Sequence, residues 1–63
     1  MILVNKKGDE IDVQCQQYEV GLYVCIYKNG SVESQFGLDI PKETFLADLR
    51  KGLAIKGYKP KEV

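Results

Sequence analysis

The sequence predicts an α+β domain: an antiparallel meander of three to four strands (β-β-β-β-α), with one C-terminal helix packed across one face. Three observations carry the prediction. Glu10 to Gln17 alternates almost strictly between apolar and polar residues, the period of a half-buried strand. Two further strand-like runs, Leu22 to Tyr27 and Ser31 to Leu38, flank Lys28-Asn29-Gly30, a hairpin turn signal. Beyond Leu38 the apolar spacing lengthens to that of a helix, with Pro41 suited to its first position.

In chain order, Ile2-Leu3-Val4 is a short apolar run closed by the turn-rich Asn5-Lys6-Lys7-Gly8-Asp9, which reads as a first strand and a loop. The second strand places Ile11, Val13 and Cys15 on one side, and Glu10, Asp12, Gln14 and Gln16 on the other. Tyr18-Glu19-Val20-Gly21 reads as a four-residue hairpin loop, which pairs Gln17 with Leu22 and Cys15 with Val24. The third strand is apolar on both faces, as expected of an interior strand or of one whose second face a partner covers.

For the Lys28-Asn29-Gly30 turn, a two-residue loop sets Leu22, Val24 and Ile26 against Gly37, Gln35 and Glu33 and so mixes apolar with polar residues. A three-residue loop with Gly30 as a bulge instead pairs Tyr27 with Ser31, Ile26 with Val32 and Leu22 with Phe36. The apolar match favours the second register, and it turns Tyr23, Cys25 and Tyr27 to the other face.

The helix is expected from about Pro41 to Lys51, with Phe45, Leu46, Leu49 and Leu53 on one stripe. Arg50 and Lys51 would complement the last carbonyls, and Gly52 would be the C-cap. Residues 56–63 read as a flexible basic tail. The expected core is Leu3, Ile11, Val13, Cys15, Leu22, Val24, Ile26, Val32, Phe36, Leu38, Phe45, Leu46, Leu49 and Leu53.

At 63 residues the chain is a single domain, 1–63, that buries only about 60% of its unfolded surface. Such a domain gains from a disulfide, a metal or a second copy. Cys15 and Cys25 are expected on opposite faces and therefore as free thiols in a reducing, cytoplasmic setting. No export signal and no membrane span are expected, since the longest apolar run is Leu22 to Tyr27. Net charge is zero but unevenly spread. Three lysines face six acids up to Ile40, and six basic residues face three acids from Pro41 onward.

With no histidine, the commonest general base and metal ligand are missing. Two cysteines ten residues apart do not make a structural zinc site by themselves. The glycines lack the spacing of a phosphate cradle. The inventory points away from an enzyme, and no cofactor, metal or small-molecule substrate is implied.

One surface invites a hypothesis: the sheet face with Tyr23, Cys25 and Tyr27 amid Gln14, Gln16 and Gln35. It reads as a homodimer or partner-protein interface, where aromatics with little charge are the usual composition. It reads alternatively as a stacking platform for unpaired bases, or as phenols that simply remain wet. The base platform is disfavoured, because strands two to four supply only Lys28 against Glu10, Asp12, Glu19 and Glu33. Lys56, Tyr58, Lys59 and Lys61 have the pattern of a short basic arm, but a solubilising tail explains them equally and is the favoured reading.

Four strands followed by a helix, together with Gly37-Leu38-Asp39-Ile40-Pro41-Lys42-Glu43-Thr44-Phe45-Leu46-Ala47-Asp48-Leu49, resemble the last-strand-to-helix junction of the PC4-like single-stranded-DNA-binding coactivators. That likeness covers about a fifth of the chain and implies a shared topology. Where those proteins carry basic strand residues, this chain has Gln35 and an acidic second strand. The function expected from the residues is a small non-catalytic binding or regulatory module, homodimeric and acting by protein contact, with a phage or mobile-element origin entertained on size. Binding of single-stranded nucleic acid is the alternative.

Overall fold

The computed structural model describes residues 1 to 61. Five strands form one antiparallel sheet: β1 (Ile2–Val4), β2 (Glu10–Tyr18), β3 (Gly21–Lys28), β4 (Ser31–Leu38) and β5 (Lys59–Pro60). Their order across the sheet is β4-β3-β2-β1-β5, and helix α1 (Lys42–Ile55) follows β4 in the chain. The α+β meander is therefore as the residue pattern predicts, with one additional strand.

The β2–β3 hairpin has the expected register, with Cys15 opposite Val24 and Gln17 opposite Leu22. The ladder runs one pair further, to Tyr18 and Gly21, so only Glu19 and Val20 remain as loop. Gly21 is needed there: its φ is 152°, and a Cβ would sit 2.8 Å from the Leu38 carbonyl oxygen.

The β3–β4 register differs from the expected one. Asn29 and Gly30 both take positive φ, 51° and 85°, which gives a two-residue turn whose twist suits a hairpin. Lys28 then faces Ser31 and Tyr27 faces Val32. A bulge follows, and beyond it Ile26 faces Ser34, Val24 faces Phe36 and Leu22 faces Leu38. The extra residue reconciles the two demands that the sequence sets against each other. Asn29-Gly30 keeps its preferred turn, and the apolar residues of β3 and β4 still share a face. Val32 is what the bulge displaces: instead of joining the core with Ile26 it lies across from Tyr27 and is 55% exposed.

The core lies between one face of the sheet and α1. Leu3, Ile11, Val13, Leu22, Val24 and Phe45 are buried together, with Cys15, Ile26, Phe36, Leu38, Leu46, Leu49 and Leu53 half-buried around them. Each fully buried aliphatic side chain contributes about 1.5–3 kcal/mol. Phe36 and Phe45 meet edge to face, with ring centroids 6.0 Å apart, tying the helix to β4 by about 1 kcal/mol beyond area burial.

Helix α1 runs past the expected stop. Gly52 lies inside it, Arg50 and Lys51 stand short of its last turn, and no basic residue occupies that turn. The true stop is at Gly57, with φ of 92°. There Gly57 N–H donates to Ala54 O at 3.0 Å and Tyr58 N–H to Leu53 O at 2.9 Å, a Schellman closure that only a left-handed C′ residue permits cheaply. Continuing to Leu53 keeps that side chain in the core, which outweighs the roughly 1 kcal/mol that a mid-helix glycine costs.

This turn sends the chain back to the sheet. Lys59 pairs with Val4 and Pro60 with Leu3, and Lys61 N–H donates to Ile2 O at 2.9 Å. As far as Lys61, the stretch read as a flexible tail is therefore bound to β1. Residues 62 and 63 of that stretch lie outside the described residues.

Candidate binding face

The sheet face turned away from α1 is built in cross-strand rows, which the β2–β3 and β3–β4 registers define. Gln16, Tyr23 and Gly37 form one row; Gln14, Cys25 and Gln35 the next; Asp12, Tyr27 and Val32 the third. All six residues singled out for this face, Tyr23, Cys25, Tyr27, Gln14, Gln16 and Gln35, therefore share it. They do not contribute alike. Tyr23 is 43% exposed, and Gln14, Gln16 and Gln35 are exposed, whereas Tyr27 is half-buried and Cys25 is only 7% exposed.

Cys25 is buried because β3 is interior and its neighbours close over it. Gln35 Nε2 lies 3.7 Å from its sulfur, and Tyr23 and Tyr27 flank it along the strand. Cys25 is thus the floor of the face and offers little contact surface itself. Its thiol raises the Tyr27 phenol above its ordinary value, chiefly by hydrogen bonding, with smaller contributions from burial, Asp12 and Tyr23. The phenol is therefore a neutral hydrogen-bonding group over the whole physiological range. Gln14 Nε2 donates to Asp12 Oδ2 at 3.2 Å, so the Asp12 carboxylate is engaged along its own strand.

Tyr23 has a glycine for its neighbour on β4, and a Cβ at Gly37 would meet nothing nearer than 3.9 Å. That missing side chain opens a shallow depression of about 560 Å³ where Tyr18, Val20, Tyr23 and Leu38 converge. Tyr18 and Val20 belong to it, although the sequence reading leaves both in a hairpin loop. Val20 is 91% exposed. The available signal was a β-branched apolar residue in a tight turn, a position that usually takes Gly, Asn or Asp.

The proposed basic arm is divided. Tyr58 is half-buried and packs against the core, and Lys61 Nζ pairs with Glu10 Oε2 at 3.2 Å. Lys56 and Lys59 instead lie beside Lys6 and Lys7, which the β1–β5 pairing brings next to them. The two cysteines are free. Burial pushes the Cys15 thiol above its ordinary value, opposed weakly by Lys42, which disfavours the thiolate needed for nucleophilic work. Among the described residues no three His, Cys, Asp or Glu side chains are placed to hold a metal ion, and no helix is long and apolar enough to cross a membrane.

Compared with protein-family models, with curated proteins and with solved structures, the chain finds no match.

Proposed function

We propose that this protein is a non-catalytic binding module that acts by protein contact, and that its first partner is a second copy of itself. The observation carrying the reading is the asymmetry of the two sheet edges. β5 is two residues long, Lys59 and Pro60, and is followed by Lys61, the features that keep an edge from pairing. β4 is eight residues long, has no lysine or proline, and its one charge is Glu33, the extra residue of the bulge. Beyond the bulge, Ser34 to Leu38 carry no charge, lysine or proline, and an edge run of that kind is a template for another strand.

Antiparallel pairing of β4 with its copy continues the sheet and sets both Tyr23 faces on the same side. The surface arithmetic fits such a partner. The chain exposes 4743 Å², against about 4,100 Å² for a compact monomer of 7.1 kDa. The surplus of about 650 Å² approaches the roughly 800 Å² that one side gives to a standard interface. Its radius of gyration, 11.8 Å, likewise exceeds the about 10.6 Å of a compact chain this long.

The base-stacking alternative has weaker support on this face, because Tyr27 stands beside Asp12 and the middle row is uncharged. Light scattering across a concentration series tests the proposal. The wild type should show twice the monomer mass, and Val32→Lys with Gln35→Lys, which put like charges on both copies of the edge, should be monomeric. A wild type that stays monomeric to millimolar concentration sinks the self-association; a lysine variant that still dimerises removes β4 from it.

A further inference from the structure

The pole where β1 ends and β5 begins carries a feature independent of the β4 edge. Lys6 and Lys7, in the β1–β2 turn, and Lys56 and Lys59, fifty residues later, line one open cavity of about 650 Å³ with Val4, Asn5 and Gly57. Four of its seven lining residues are therefore lysines, all exposed. Nothing in the local sequence joins them; the pairing of Val4 with Lys59 and the Schellman turn at Gly57 do.

Among the described residues the nearby carboxylates are already engaged. Glu10 pairs with Lys61. Asp9 accepts hydrogen bonds from Asn5 and Asn29, and Lys7 is the smallest of the influences on its carboxyl. Among the described residues the ion pairs are those of Glu10 and of Asp12, so none of the four lysines belongs to one. The helix C-terminus at Lys56 supplies only a partial negative charge, roughly half a unit, in compensation. The floor is open as well: a Cβ at Gly57 would meet nothing within 4 Å.

We infer that Lys6, Lys7, Lys56 and Lys59 form a binding site for clustered phosphate groups, such as those of a single nucleic-acid strand or a free oligophosphate. Four exposed ammonium groups that form no ion pair among the described residues suit a multiply charged, flexible anion, whose phosphates each find a point charge. The site does not need the tyrosine face, and it lies at the edge of the sheet away from β4, so it can be occupied whether or not two copies pair.

Fluorescence anisotropy with a labelled oligothymidylate and calorimetry with tripolyphosphate test it on the full chain. With four phosphate contacts, strand affinity should fall about 50-fold between 50 and 200 mM salt. Lys6→Gln with Lys56→Gln should weaken binding at low salt and reduce that fall to about sevenfold. The charge-matched pair Lys28→Gln with Lys42→Gln, outside the cavity, should leave both values near wild type, with circular dichroism verifying the fold of each variant. Binding of the oligonucleotide alone assigns the site to a nucleic-acid backbone, and binding of tripolyphosphate alone to a free oligophosphate. No binding of either at 50 mM salt, or an equal loss in the control pair, overturns the site.

Discussion

Asn29 and Glu10 exchange two hydrogen bonds of 2.8 Å: the Asn29 backbone N–H donates to Glu10 O, and the Glu10 N–H donates to Asn29 Oδ1. The side-chain amide therefore stands where a strand residue would put its carbonyl, and the β2–β3 ladder gains a rung inside a turn. Asn29 Nδ2 also reaches Asp9 Oδ1 at 3.2 Å, and Asp9 is held from the other side by Asn5. One side chain thus ties the β3–β4 turn to the β1–β2 turn.

Replacing Asn29 should separate its two roles. Asn29→Gly keeps the positive φ and loses the side-chain bonds, at a cost of about 1–2 kcal/mol. Asn29→Ala adds the left-handed strain of about 1 kcal/mol. Urea unfolding should rank wild type above Gly above Ala. Equal stability of the two variants would mean that φ at this position is not constrained.

The same network sets a pH dependence. Hydrogen bonds from Asn29 and then Asn5 hold the Asp9 carboxyl below its ordinary value of 3.8, with Lys28 and Lys7 adding to them. Because the folded value is the lower one, the stabilisation is complete above the ordinary value and disappears as pH falls through the folded one. Stability followed from pH 6 to pH 2 should decline more shallowly in Asp9→Asn than in the wild type. Parallel curves would remove Asp9 as a source.

Two glycines should respond to alanine with opposite signs. At Gly21 the new Cβ lands 2.8 Å from Leu38 O on a backbone of positive φ, so Gly21→Ala should destabilise by about 2–3 kcal/mol through strain and a forced shift of β4. At Gly52, inside α1, a Cβ meets nothing within 4 Å, so Gly52→Ala should stabilise by about 0.5–1 kcal/mol. Thermal melts of the two variants give both signs directly.

Val32 and Val24 test the bulge. Val24 is fully buried, and Val24→Ala should cost about 2 kcal/mol. Val32→Ser should change monomer stability by no more than about 0.5 kcal/mol, because the bulge turns it to the open face. A loss at Val32 comparable to that at Val24 would restore the bulge-free register.

The strands and the helix were legible because their signals are local. Strict alternation from Glu10 to Gln17 and the turn residues around Gly30 report backbone geometry within a few residues, and they suffice for the meander, for most of the core, and for placing Tyr23, Cys25 and Tyr27 on one face. They do not suffice for burial on that face. Cys25 is covered because β3 lies between two strands and β4 brings Gln35 over it, a neighbour ten residues away in the chain.

The residues alone determined a meander of three to four strands, an amphipathic helix on its apolar side, and a polar, aromatic face on the other. Tertiary structure decided three things. A bulge satisfied both the Asn29-Gly30 turn and the apolar register, at the expense of Val32. The helix passed Gly52 because the core offered Leu53 a half-buried place, a gain larger than a glycine's intrinsic preference. And Lys59-Pro60 became a strand because β1 left an edge for it, which is how lysines from opposite ends of the chain came to share one pole.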